Sequence, residues 1–291
     1  FPYTTLFRSL TGPAVQKALE NARFIPRVIE LDRKQPEGTI TFEQYLEKQL
    51  VPARINKGRE LYQQHRVLLE RVARQYGVPA PYIVALWGIE TNYGANTGGF
   101  DVVSSLATLA YEGRRADYFK RELVQSLRIL DERHITPEAM RGSWAGAMGQ
   151  CQFMPTSFWK YAVDGNSDGK RDIWRSLPDV FSSTANYLKT EGWNSKIGWG
   201  QEVRLPPDLQ GLTSDSAMPY DQWRDLGVTP ARDGAASPTA GQSDAPLKLV
   251  RPDGPTGRAY LVTENYQVFK HWNRSTYFAT TVGLLADRIG M

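Results

Sequence analysis

In the segment PYIVALWGIETNYG, Ile83, Leu86, Trp87 and Glu90 recur at i, i+3, i+4 and i+7. A helix there turns a carboxylate onto the same face as three large apolar side chains. Burial disfavours the charged form and the nearby helix C-terminus adds negative potential, so both raise a carboxyl pKa. A carboxyl protonated near neutral pH can donate to a glycosidic oxygen, the part a general acid plays in glycoside cleavage. The spacing alone equally allows a buried Glu paired with an arginine. The second carboxylate of an ordinary glycosidase, about 5 to 10 Å from the first, is not evident. ETNYG has no Asp or Glu on that face, and Glu112 or Glu264 would have to fold in from elsewhere.

A second constellation begins at Asp164. Asp164, Asn166 and Asp168 supply side-chain oxygens at alternate positions, Gly169 stands sixth, Lys170 offers its backbone carbonyl at the seventh place and Asp172 a carboxylate at the ninth. This is the order of an EF-hand calcium loop. Arg175 stands at the twelfth place, where a bidentate Glu is expected. The alternative is an Asx-rich turn that holds no metal.

Three segments, GIETNYG, EGRRADYF and GSWAGAMGQCQFMPTSF, together resemble the B-type lytic murein transglycosylases, a lysozyme-like family, and the resemblance runs over residues 45–289. It implies a lytic transglycosylase that cleaves the β-1,4 bond between N-acetylmuramic acid and N-acetylglucosamine in peptidoglycan, leaving 1,6-anhydromuramoyl ends, with Glu90 as the single acid/base. It also implies a sugar groove containing Ser143 and Gln152, with Arg114 and Arg115 beside it, lined by Tyr45, Tyr187, Tyr266 and Trp272. Family members carry Tyr at the place of Trp272. A structural calcium ion would be held by Asp164, Asn166, Asp168, Lys170 and, in place of the missing Glu, Asp179; no organic cofactor is expected. Each residue also has a plainer reading. Paired arginines at a helix start are often solvated, an isolated Ser can be a helix cap, and aromatic residues are most often core.

The elements that must position these residues are mainly helical. Thr41 caps a helix over residues 42–49, an amphipathic stretch covers 59–76 and stops at Gly77, and further helices are expected at 80–93, 115–133 and 276–289, the last with Phe278, Val282, Leu285 and Ile289 on one stripe. Residues 201–262 carry Pro206, Pro207, Pro219 and Pro230, a Gly/Ala/Ser/Pro-rich stretch at 233–245, and a hairpin pattern at 247–262. The expected class is α+β, predominantly α: a helical N-terminal domain (10–79), a lysozyme-like core (80–200), a small β-containing insertion (201–262) and a return to the core (263–291). Residues 1–9 have no amphipathic period and resemble translated adapter sequence, so they are expected to be an artefactual segment.

With 41% hydrophobic and 23% charged residues, the chain has ordinary globular composition. No run approaches the roughly 18 apolar residues of a membrane span. One cysteine excludes an internal disulfide, and three histidines leave few ligands for zinc. The net charge of +4 suits an anionic polymer, but without a dense Lys/Arg stripe nucleic acid is not an expected partner. The expected partner is the peptidoglycan glycan strand, met by a monomer in the periplasm or cell envelope, with no export signal visible in this chain. Two other readings stay open: a hydrolytic muramidase, and a non-catalytic peptidoglycan-binding protein.

Overall fold

The computed structural model describes residues 10–34, 40–210, 212, 217–232 and 237–291, so the expectation for residues 1–9, and that for 233–236, lies outside the described residues. The chain forms two compact units, one from residues 10–34 and 86–187, the other from the described parts of 40–85 and 188–291. Two helices, Ala80–Thr91 and Leu177–Thr190, continue from one unit into the other.

In the first unit, the helices Pro13–Glu20 and Pro26–Arg33 both open on proline, which suits a first turn whose N–H has no intrahelical partner. Val102–Glu112 starts where the Asp101 carboxylate accepts the Ser104 N–H at 2.8 Å and stops at Gly113, whose φ of 99° is left-handed. The expected helix at 115–133 spans Ala116–Asp131 and turns Phe119, Leu123, Leu127 and Leu130 inward. It packs on Val102–Glu112, Pro13–Glu20 and Pro155–Tyr161. Full burial of each such side chain is worth about 1.5–3 kcal/mol. The same helix buries Glu122, which accepts the Thr156 N–H and hydroxyl at 2.9 and 2.8 Å and so satisfies the start of Pro155–Tyr161. A two-stranded antiparallel pair, Phe100–Asp101 with Arg141–Gly142, ties the start of Val102–Glu112 to the loop that follows.

In the second unit, Phe42–Gln49 begins as expected at Thr41, in a reciprocal capping box with Gln44. The stretch 59–76 is not one helix. It belongs to two, Pro52–Gln64 and Arg66–Tyr76, broken at His65 (φ −106°, ψ 18°). Each part buries its own pair, Gly58 with Leu61 and Leu69 with Val72. A five-stranded antiparallel sheet has the order Ala217–Met218, Leu247–Val250, Ala259–Val262, Gly200–Arg204, Thr229–Pro230. Its centre includes the expected hairpin, with Leu249 opposite Leu261. Val203, Trp223, Leu247, Leu249 and Leu261 form the core of this sheet. The last helix, Thr276–Gly290, buries Phe278, Val282, Leu285 and Ile289 as the stripe requires, and packs on Phe42–Gln49 and Pro52–Gln64. The predominantly helical α+β class is therefore what the chain adopts.

Candidate active site

The helix Ala80–Thr91 is buried on every side over residues 82–88, so the stripe read from the sequence is not set apart from its other faces. Ile83, Leu86 and Trp87 are buried, and Glu90 on the same face is half-buried, neither on open surface nor sealed from it. Burial pushes the nearby Cys151 thiol up to about 12, and the charge of Glu90 adds to that shift, which puts the carboxylate within electrostatic reach of the loop at 151.

The helix ends two residues earlier than expected. Asn92 and Tyr93 have left-handed φ values of 50° and 60°, ahead of Gly94 at 83°. Such a conformation costs a non-glycine residue on the order of 1 kcal/mol or more. The turn is closed by Asn92 N–H to Gly88 O at 3.1 Å, Tyr93 N–H to Trp87 O at 3.2 Å and Gly94 N–H to Thr91 Oγ1 at 3.0 Å. Gly88 is required here, because a Cβ would meet the Tyr93 ring at 2.7 Å. That ring lies edge-on to Trp87 at 5.5 Å.

Beside this turn runs the GSWAGAMGQCQFMP segment, almost without regular structure up to Pro155. Ser143 is not a helix cap. Its N–H donates to Ala147 O at 2.8 Å and its hydroxyl accepts the Ala147 N–H at 3.0 Å, closing a tight loop. Gln152, at a left-handed φ of 50°, donates from Nε2 to Thr97 O at 3.1 Å and to Gly149 O at 2.9 Å. The backbone at Gly98 touches that of Gly142, since a Cβ on Gly98 would lie 2.1 Å from Gly142 O. The first unit thus brings the segment after Glu90 together with the Ser143 and Gln152 loop.

Arg114 and Arg115 are not simply solvated. Both bind the carboxylate of Asp32, which is 3% exposed, and Arg114 also donates to Asp32 O at 3.0 Å. Arg115 lies over the Phe119 ring at 4.9 Å. Nothing in the sequence marked Asp32, which stands 82 residues from Arg114.

The four aromatic candidates divide. Tyr187 is buried against Tyr161 and Phe153, with ring centroids 4.2 and 5.9 Å away, in the first unit. Tyr266 is buried in the second unit, its hydroxyl bonded to Thr276 O and the Thr280 hydroxyl at 3.2 and 3.0 Å. Tyr45 and Trp272, also in the second unit, stay half-buried, with Tyr45 5.8 Å from the Tyr277 ring. Glu112 accepts from Arg33 at 3.0 Å and from the Arg114 N–H at 3.1 Å, and Glu264 accepts from Asn194 at 2.8 Å.

The acidic loop folds around its own amides. Asp164 accepts the N–H groups of Asp168 and Gly169 at 3.1 and 2.8 Å, and Asp168 accepts that of Lys170 at 2.9 Å. Asp179 is fully buried beneath, accepting from Gly165 N–H at 2.9 Å and Asp172 N–H at 2.7 Å; burial raises its pKa and the charge of Asp164 adds to the rise. Arg175 is exposed and contributes only its N–H, to Asp172 at 2.9 Å. Among the described residues no three His, Cys, Asp or Glu side chains converge as a metal cluster. The side-chain donors of the loop are all oxygens, the donor type a hard divalent cation takes.

Residues 7–287 match the family model described as Transglycosylase SLT domain. The chain belongs to that family. This SLT-domain transglycosylase is 31% identical over 292 residues to the membrane-bound lytic murein transglycosylase B of Escherichia coli, covering 95% of this chain and 78% of the relative. It resembles the crystal structure of SltB3 from Pseudomonas aeruginosa in complex with NAG-anhNAM-pentapeptide, with a TM-score of 0.90 and 40% identity over 98% of this chain and 77% of that one. It also resembles the E. coli lytic transglycosylase Slt35 in complex with calcium, with a TM-score of 0.78 and 29% identity over 96% and 93% of the two chains. The fold of the transglycosylase is thus lysozyme-like. Among its described residues no helix is long and apolar enough to cross a membrane.

Proposed function

We propose that this chain is a lytic transglycosylase of peptidoglycan in which Glu90 is the single acid/base. The observation that carries the residue assignment is the half-buried carboxylate of Glu90 at the end of a helix that is buried on every side over residues 82–88. Such a group is kept partly from water yet stays reachable. Protonated, Glu90 donates to the oxygen bridging N-acetylmuramic acid and N-acetylglucosamine. The muramic acid's own N-acetyl oxygen attacks its anomeric carbon as that bond breaks, so no second protein carboxylate is required. Glu90, now a carboxylate, takes the proton of the sugar's 6-hydroxyl as that oxygen closes onto the anomeric carbon, breaking the bond to the N-acetyl oxygen, restoring the acetamide and giving a 1,6-anhydromuramoyl end.

In the same reading Ser143 and Gln152 face the sugar from the loop beside the helix end, and Arg114 and Arg115 offer the N–H groups that Asp32 does not take. Tyr45 and Trp272 keep accessible ring surface for stacking, whereas Tyr187 and Tyr266 support from the core. Calcium is structural, held by Asp164, Asn166, Asp168, the Lys170 carbonyl and Asp179. The protein works as a monomer in the periplasm or cell envelope.

Mass analysis of products from purified peptidoglycan tests the chemistry, because anhydro and reducing ends differ by one water. Anhydro ends that vanish in Glu90→Gln, with binding to peptidoglycan retained, are the expected result. Reducing ends would make the protein a muramidase, and turnover unchanged in the variant would remove Glu90 from the reaction.

A further inference from the structure

Gln150 lies two residues before Gln152 in the loop beside the Glu90 helix, and both its backbone and its amide are engaged. Its N–H donates to Ile173 O at 2.8 Å and its Nε2 to Trp174 O at 2.9 Å. Its Oε1 accepts the indole N–H of Trp87 at 2.7 Å, and its backbone carbonyl shares the Thr91 hydroxyl, 3.3 Å away, with Trp87 O at 3.2 Å. Two of these bonds reach the strand of backbone leaving the acidic loop, and two reach the last turn of the Glu90 helix.

The geometry leaves little slack. A Cβ on Gly94 would lie 2.4 Å from Gln150 Oε1, and one on Gly149 would lie 2.6 Å from Ile173 O. Trp87 and Glu90 are i and i+3, so they share a helix face, and Thr91 is one position beyond Glu90. Holding Trp87 and Thr91 from one side fixes both the rotation and the advance of the turn that carries Glu90. That turn runs straight into the left-handed Asn92 and Tyr93, whose conformation persists only where neighbours over-determine it.

We propose that Gln150 is a positioning residue for the transglycosylase reaction. It pins the last turn of the Glu90 helix to the Ile173–Trp174 backbone and thereby aims the Glu90 carboxyl at the bridging oxygen. The inference rests on Glu90 being the acid/base. Misplacing a reacting group by about 1 Å costs up to about 100-fold in rate.

Gln150→Met, Trp87→Phe and Gln150→Glu in the full chain, assayed on soluble glycan strands, test it alongside Glu90→Gln. Gln150→Met removes both side-chain bonds and is expected to lower kcat about 10- to 100-fold with KM within about twofold, and to move the pH limb of the wild-type kcat that the Glu90 carboxyl sets. Trp87→Phe should move the same limb, and the double variant should be no worse than the worse single one, because the two changes break one bond. Gln150→Glu carries its own control. A protonated Glu keeps one donor for Trp174 O and one acceptor for the Trp87 indole, the two side-chain bonds that Gln150 makes, so its rate relative to wild type should climb as the pH is lowered. Amide exchange at Asn92 to Gly94 should quicken in Gln150→Met. If Glu90→Gln is inactive while Gln150→Met keeps the wild-type kcat and pH limb, the positioning role is wrong and the acid/base reading stands. If Glu90→Gln stays active, both fall. A Gln150→Met protein that does not fold leaves Trp87→Phe and Gln150→Glu to decide, and an unmoved limb in Trp87→Phe with no pH-dependent recovery in Gln150→Glu overturns the inference.

Discussion

Arg114 grips Asp32 twice, with Nε and Nη2 both donating to the same carboxylate oxygen, while the Asp32 side chain is 3% exposed and that of Arg114 is 53% exposed. The acid is therefore the buried partner and the base its solvent-facing lid. Charge is conserved across the pair, but the dependence is unequal, since only the buried member suffers if left alone.

Arg114→Ala should cost about 1–3 kcal/mol, less than a fully buried pair because Arg115 still binds Asp32 and both guanidinium groups are half in water. Asp32→Asn should cost less, because it removes the buried charge along with the pairing. Denaturant unfolding of the two variants orders them, and equal losses would argue against burial as the cause.

Asp287 opens onto a cleft of about 990 Å³ in the second unit. Enclosure by the cleft walls raises its carboxyl to about 6, against the opposing pull of the Trp199 indole N–H at 3.1 and 3.2 Å. A carboxyl raised on folding contributes stability below its unfolded pKa and loses it as pH rises through the folded value. Asp287→Asn should therefore raise the Tm at pH 7.5 and leave it unchanged at pH 4. Because the group reaches solvent, the gain is held to about 1 kcal/mol or less. Thermal melts at the two pH values check the sign.

A Cβ at Gly283 would sit 2.2 Å from the Trp199 ring, and that ring is buried and held by Asp287. Gly283→Ala is expected to destabilise by about 1–3 kcal/mol through overpacking, despite the better helix propensity of alanine. A Tm equal to wild type would mean the helix and ring separate more easily than their packing suggests.

Calcium should bind the acidic loop and raise the Tm, since a ligand of the folded state alone stabilises it by mass action. Asp179→Asn and Asp164→Ala should each abolish the calcium-dependent part of the Tm. Titration calorimetry showing no heat with calcium would return the loop to an Asx-rich turn.

Much of the site was legible because its determinants are local. The Thr41 cap, the stop at Gly77, the apolar helix that carries Glu90, and the hairpin at 247–262 each depend on residues within a turn or two of one another. The oxygen order of the acidic loop is local in the same sense. From these the sequence by itself determined a mostly helical protein with a carboxylate set among apolar neighbours. Tertiary structure alone decided what depends on distant partners. The break at His65 lies inside a stretch whose amphipathic pattern shows no interruption. Asp32 meets Arg114 across 82 residues, and Gln150 meets Trp87 across 63. Tyr187 and Tyr266 face the core where periodicity allowed either side. Hydrogen bonds and ion pairs of that reach carry no periodic signature, because whether two such groups meet is settled by how whole elements pack.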